Sequence, residues 1–285
     1  LFIAVHYILS WIFTFLLCRE WKYGFTASVF SATAFAFGGY MMSVSDLVTS
    51  LCSATWLPLV LLLFHRALAG EHGKKYAIFA GIAFAVQFLA GEPAVLYCTA
   101  GAAAAYGAAF AFRERDGRKA GRAIVVLAFA GLVAAALAAV QLFPFIELVM
   151  NSSRASGTNY ALASSWSFPP AHLPGFMAPF AFGDVTLRRA QWFDPAQAWL
   201  KTPYAGVIAV LLCAICVIVI AARIRKEGGV RAFEIFLLSM LAVSLMLSFG
   251  EHAFYYRFLY KWAPGLKMIR YPVKFIVLAA FAVSM

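Results

Sequence analysis

The side chains equipped for chemistry in this sequence are few, and they stand at the borders of apolar runs. Asp46, in Ser43-Val44-Ser45-Asp46-Leu47, and Glu92, in the Gly91-Glu92-Pro93 turn, are carboxylates near membrane depth. A charge there is costly and marks a functional candidate by default. Either could be a base that takes a proton from an attacking hydroxyl, or simply part of a wet acidic turn. Arg257, Lys261, Arg270 and Lys274 crowd into one stretch. Arginine and lysine bind phosphate well, and Pro272 predicts a helix start whose free N–H groups add to an anion site. The alternative is an edge of solvated, snorkelling side chains. Residues 147–203 carry Arg154, His172, Asp184 and Asp194 among Trp166, Phe168, Phe176 and Trp192. Aromatic faces with carboxylates and amides form sugar-binding surfaces, and the same mixture suits a loop lying along a membrane interface.

Metal and redox chemistry find less footing. Cys213 and Cys216 form a C-x-x-C, but they lie inside the apolar run LLCAICVIV with no second cysteine pair or histidine nearby. They read as small apolar residues. His6, His65, His72, His172 and His252 show no zinc spacing. A divalent ion remains an option only as an aid to a phosphate leaving group.

The elements that must position these groups are membrane spans. The chain is 64% hydrophobic and 12% charged, with mean hydropathy +0.84. A soluble domain carries about 25% charged residues. Nine apolar runs, at 1–18, 25–42, 51–68, 76–90, 94–112, 123–145, 204–222, 232–249 and 272–285, predict about nine transmembrane helices. The runs are continuously apolar and do not alternate, which selects helices over barrel strands. The fold class expected is an all-α polytopic bundle forming a single domain over 1–285. Two extracytoplasmic segments are expected, at 147–203 and 250–271. Prolines and aromatics predict that the first is interfacial, with short helices near 170–180. The chain opens inside an apolar run without a methionine, which predicts a piece of a longer protein.

Orientation follows from alternate loops. Arg19 and Lys22; Arg66, Lys74 and Lys75; Arg113, Arg115, Arg118, Lys119 and Arg122; and Arg223, Arg225, Lys226 and Arg231 make 14 of the 23 basic residues. Those loops are expected in the cytoplasm, and Asp46 and Glu92 outside. The net charge of +11 is largely this topology signal plus attraction to anionic lipid. No soluble basic domain exists to hold nucleic acid.

Several stretches together carry a resemblance: Phe37-Gly38-Gly39-Tyr40, Ala54-Thr55-Trp56-Leu57-Pro58-Leu59, Leu89-Ala90-Gly91-Glu92-Pro93 with Tyr97, and Ala139-Val140-Gln141-Leu142-Phe143-Pro144. They continue with Phe168-Pro169-Pro170-Ala171-His172-Leu173, Tyr204-Ala205-Gly206-Val207, Tyr256-Arg257-Phe258-Leu259-Tyr260, Pro264-Gly265-Leu266 and Arg270-Tyr271-Pro272-Val273-Lys274-Phe275. In this order the set resembles the YfhO-like family of bacterial multi-pass membrane proteins, relatives of the GT-C glycosyltransferases. The resemblance implies a GT-C-like bundle in the bacterial cytoplasmic membrane and a polyprenyl-phosphate-linked sugar as donor, transferred to an acceptor on the outer face. It also implies that the main catalytic carboxylate lies upstream of Leu1. The family often has histidine where Glu92 stands.

On that reading Asp46 is the in-chain base, with Glu92 the second carboxylate. Arg257, Lys261, Arg270 and Lys274 serve the leaving phosphate, and Arg154, His172, Asp184 and Asp194 hold sugar. Membrane lipid and other membrane proteins are the expected partners. Two rivals stay open. A flippase for a lipid-linked saccharide predicts charges within spans and broken helices; a scaffold subunit predicts close-packing faces such as the Ala/Gly-rich stretch 99–112.

Overall fold

The computed structural model describes residues 1–70, 72–114, 117–152, 157–179, 181–182, 197, 199–227, 231–263 and 265–285. Among them the chain is helical throughout, with no strand. Five helices are long and apolar enough to cross a membrane: Phe2–Glu20, Val48–Ala69, Pro93–Phe112, Gly117–Leu137 and Val207–Lys226. The longest α-helices run 22 residues, about 33 Å of rise, which matches the roughly 30 Å hydrocarbon core of a bilayer. These spans mark a membrane protein.

The α-helices are α1 (Phe2–Glu20), α2 (Phe25–Ala36), α3 (Gly39–Ser43), α4 (Val48–Ala69), α5 (Gly73–Leu89), α6 (Pro93–Glu114), α7 (Gly117–Leu137), α8 (Ala139–Met150), α9 (Tyr160–Ala163), α10 (Val207–Glu227), α11 (Ala232–Ser248), α12 (Tyr256–Trp262) and α13 (Ile276–Ser284). Two of the nine expected runs are broken. Run 123–145 is divided at Ala138, between α7 and α8. Run 25–42 is divided at Phe37 and Gly38, between α2 and α3. The second break has a visible cause: Gly39 N–H is held by Tyr204 O at 2.5 Å, which seats α3 against another segment. The last run is a 3-10 turn, Pro272–Phe275, leading into α13.

Packing places α4, α6, α11 and α13 at the centre. α4 lies against α1, α5 and α6, and α11 against α6 and α13. α13 is buried almost along its whole length, as expected of a helix that is apolar all round. α7 and α10 are peripheral, with 11% and 6% of their apolar windows buried. The basic loops gather at one end. Arg66 pairs with Glu20 at 2.7 Å, Arg122 Nη2 donates to Ala67 O at 3.0 Å, and the Tyr23 ring meets Phe233. Trp21, Tyr106, Phe233 and Phe236 pack there as one aromatic cluster. The turn at Glu92 stands at the opposite end of α5 and α6 from the loops at 66–75 and 113–122.

Small residues set the helix spacing. A Cβ on Gly107 would stand 2.8 Å from Ala123 Cβ, so the Ala/Gly stretch of α6 is used within the chain, against α7. On α5, a Cβ on Gly81 would meet Val133 Cβ at 2.6 Å and Ala130 O at 2.8 Å, whereas Gly101 faces open space. Gly81→Val should therefore force α5 from α7 and cost about 1–3 kcal/mol. Gly101→Val should stay within about 0.5 kcal/mol of the parent. Unfolding of the two variants in detergent checks this; equal effects would refute the packing.

Candidate functional site

The end of the bundle away from the basic loops holds a buried ion pair. Glu92 sits in the turn between α5 and α6. Gly91, at φ +87°, supplies the left-handed backbone the turn needs, and Pro93 begins α6. Glu92 Oε1 accepts the Ala94 N–H at 3.3 Å and Lys274 Nζ at 3.2 Å, and Oε2 accepts Ser50 Oγ at 3.4 Å. The carboxylate thus caps α6, where the helix dipole favours negative charge. The Lys274 and Glu92 side chains are 13% and 9% exposed. Lys274 Nζ also lies 4.0 Å from the centre of the Trp199 ring, a cation–π contact that partly replaces lost water.

Trp199 arrives on a clipped loop. Gln197 bridges to Leu200 through both its amide groups, at 2.7 and 2.9 Å. Ser43 Oγ then accepts the N–H groups of Lys201 and Thr202, both at 3.0 Å. A Cβ on Gly39 would stand 2.6 Å from Tyr204 N, so only glycine lets this loop cross α3. The Tyr40 ring beneath is fully buried and faces Glu92, Cys98 and Trp199. Asp46 stands apart, more than half exposed, in an ion pair with Lys201 at 2.6 Å.

Residues 157–176 dock on the same end. Phe168 N–H donates to Ser248 O at 2.8 Å, Glu251 N–H to Ser167 Oγ at 2.9 Å, and Ala205 N–H to Phe176 O at 3.0 Å. Residues Pro170–Phe176 form a 3-10 helix with His172, Gly175 and Phe176 buried. The expected short helix near 170–180 is present and seated on the bundle. Trp166 and Tyr271 stack with ring centroids 3.9 Å apart. Both have left-handed backbones, at φ 58° and 69°, an outlier for bulky side chains.

The sequence candidates are distributed as follows. Glu92 and Lys274 meet, and Asp46 pairs with Lys201 instead. Arg257 lies 5.0 Å above the Tyr160 ring and Lys261 5.6 Å from Trp262, both exposed on α12. No hydrogen bond or ion pair among the described residues joins either to Glu92 or Asp46. Arg270 is partly buried, with Nε shielded from solvent and without a hydrogen-bond partner among the described residues. His172 stacks on Phe182 at 4.0 Å. Arg154, Asp184 and Asp194 lie outside the described residues. No three His, Cys, Asp or Glu side chains gather among the described residues as a metal set. Sequence reasoning missed Ser50, Trp199, Lys201 and Tyr40 as parts of this end; Lys201 carried a signal as a basic residue away from the basic loops, and Tyr40 as part of Phe37-Gly38-Gly39-Tyr40. No model of a known family matches the chain, and neither does any characterised protein or solved structure.

Two predictions follow from the geometry. Glu92→Gln strips the Lys274 ammonium of its carboxylate in a nearly dry site and should cost about 3–5 kcal/mol. Adding Lys274→Met should restore most of that loss; a double variant no more stable than Glu92→Gln would deny the pair its role. The second concerns pH. Burial, aided by the charge of nearby His252, pushes the His172 imidazole below its ordinary pKa of 6.5. The unfolded chain then binds the proton more readily than the fold, so this contribution is present above pH 6.5 and fades as pH falls through that value. His172→Phe should flatten the fall in unfolding midpoint between about pH 7 and pH 5, where free histidine gains its charge.

Proposed function

We propose that this chain is a membrane glycosyltransferase-like protein of the bacterial cytoplasmic membrane. It transfers a sugar from a polyprenyl-phosphate donor to an acceptor at the extracytoplasmic face, in a GT-C-like bundle of nine crossings. The observation that carries the reading is Arg270. Its buried Nε has no acceptor among the described residues, a costly condition for a guanidinium. It stands one residue before the strained Tyr271 and four before the buried Lys274, at the end of the bundle where aromatic rings collect. A phosphate oxygen is the acceptor such a group is suited to take.

The chemistry divides among the residues already placed. Arg270 neutralises the charge that develops on the leaving phosphate, and the exposed Arg257 and Lys261 draw the anionic headgroup toward it. Asp46 is the reachable carboxylate and serves as base toward the acceptor hydroxyl. Glu92 is held by three donors and acts by positioning Lys274. The rings of Trp199 and Trp166 offer faces for the sugar. The loops bearing Arg66, Arg122 and Arg223 face the cytoplasm.

Arg270→Ala should weaken binding of a polyprenyl-phosphate sugar to the purified protein by about 1–3 kcal/mol, the range for a charge-assisted hydrogen bond. Asp46→Asn should leave binding intact and abolish release of polyprenyl phosphate. Binding and release of a radiolabelled donor in detergent separate the two effects. Unchanged binding by Arg270→Ala would remove the support for the donor. Binding and turnover that both survive Asp46→Asn would take away the base.

A further inference from the structure

Between α2, α10, α11 and α13 the bundle leaves a cleft of about 730 Å³. Its walls are apolar: Ala27 and Phe30 from α2, Leu212 and Cys216 from α10, Leu237 and Leu241 from α11. One mouth is charged, lined by Arg223, Arg231 and Glu234. Glu234 is already committed there. Its Oε1 accepts Arg223 Nη2 at 2.5 Å, and its Oε2 accepts the Arg231 backbone N–H at 2.8 Å. Lys226 lies three residues beyond Arg223, on the same face of α10, and the Lys226 and Arg231 side chains are exposed. Among the described side chains the lining therefore carries two cations, Arg223 and Arg231, against one carboxylate, and Lys226 adds a third cation one turn further along α10. It belongs to the end of the bundle opposite Glu92, since Tyr23 and Phe233 meet beside it.

We propose that this cleft binds an acidic phospholipid, with an acyl chain along Phe30, Leu212 and Leu237 and the phosphate at Lys226 and Arg231. The walls lie along α10, the most apolar of the spans, with a mean hydropathy of 3.0. Hydrocarbon fills such a cleft at far lower free energy than water does. The headgroup preference comes from the mouth. A surplus of cations at a membrane surface attracts a net negative lipid and gains little from a zwitterionic one, whose own ammonium opposes them. The site shares no residue with the sugar-transfer reading and stands independently of it.

The test uses the whole chain in nanodiscs of equal phosphatidylglycerol and phosphatidylcholine, with lipid retained on the protein quantified by native mass spectrometry. The parent should retain phosphatidylglycerol preferentially. Lys226→Gln with Arg231→Gln should reduce that preference by roughly fivefold for each basic side chain removed, while total lipid stays the same. Ala27→Trp, which fills the cleft from an exposed position, should reduce retained lipid of both kinds. Thermal unfolding confirms that each variant is folded. Equal retention of the two lipids by the parent would overturn the proposal, as would a preference that survives the double substitution. So would a cleft closed by a second copy, seen as a lipid-free dimer.

Discussion

A bilayer interior offers no water to satisfy a polar group, and this governs where every charge in the chain is allowed to sit. The charged side chains collect at the two ends of the bundle. Several polar groups left inside cross-link helices. Gln87 of α5 donates to Ser53 O on α4 at 2.9 Å and to Thr99 Oγ1 on α6 at 2.8 Å, tying three helices with one amide. Ser244 Oγ of α11 donates to Phe275 O at 2.6 Å, fixing the entry to α13. His65 and Tyr106 join α4 to α6 in the same way. The Glu92–Lys274 pair is the charged version of this rule, and it binds the α5–α6 turn to the start of the last helix.

The two ends use charge differently. At the basic end, Glu20 and Glu234 each meet an arginine, and several cations remain exposed beyond them. Lysine and arginine in short loops are what a topology signal counts, whatever carboxylates stand beside them. At the other end, Asp46 and Glu92 are each matched to a lysine from a distant part of the sequence. These pairs close loops of more than 150 residues, and they hold the loop at 199–204 and the start of the last helix onto the bundle.

Much of this was legible in the sequence. The helical class, the apolar runs and the gathering of basic loops follow from composition and spacing, because a bilayer punishes departures from them. The break at Ala138 was not legible, since the residues there are as apolar as their neighbours; at Phe37-Gly38 the Gly38-Gly39 pair offered a breaker signal that the run of hydropathy outweighed. The second break is imposed by Tyr204, far along the chain. The same holds for the site. Asp46, Glu92 and the cluster at 257–274 stood out as charges in the wrong place. That Lys274 would turn inward to Glu92 and under Trp199 depended on a meeting between three remote segments, for which no local pattern exists.

The stacked pair Trp166 and Tyr271 bears on why this end is built as it is. A left-handed backbone at a bulky residue costs about 1–2 kcal/mol, and here two such residues face each other. Ring stacking contributes about 0.5–1.5 kcal/mol beyond burial, so the stack alone does not offset the strain of both. The balance must come from what the strained turns permit. Trp166 O accepts the Val273 N–H at 3.3 Å, and Phe168, two residues on, is fully buried with its N–H on Ser248. Tyr271 separates Arg270 from the helical turn that carries Lys274. Its left-handed backbone breaks the helical path between the two cations: Lys274 enters the Glu92 pair, and Arg270 Nε meets no acceptor among the described residues. A regular helix through 270–274 would have placed both on one face, four residues apart. The strain is thus located between the cation held in the Glu92 pair and one whose Nε is shielded from water, and strain of this kind tends to cluster where a structure places side chains for a purpose beyond packing.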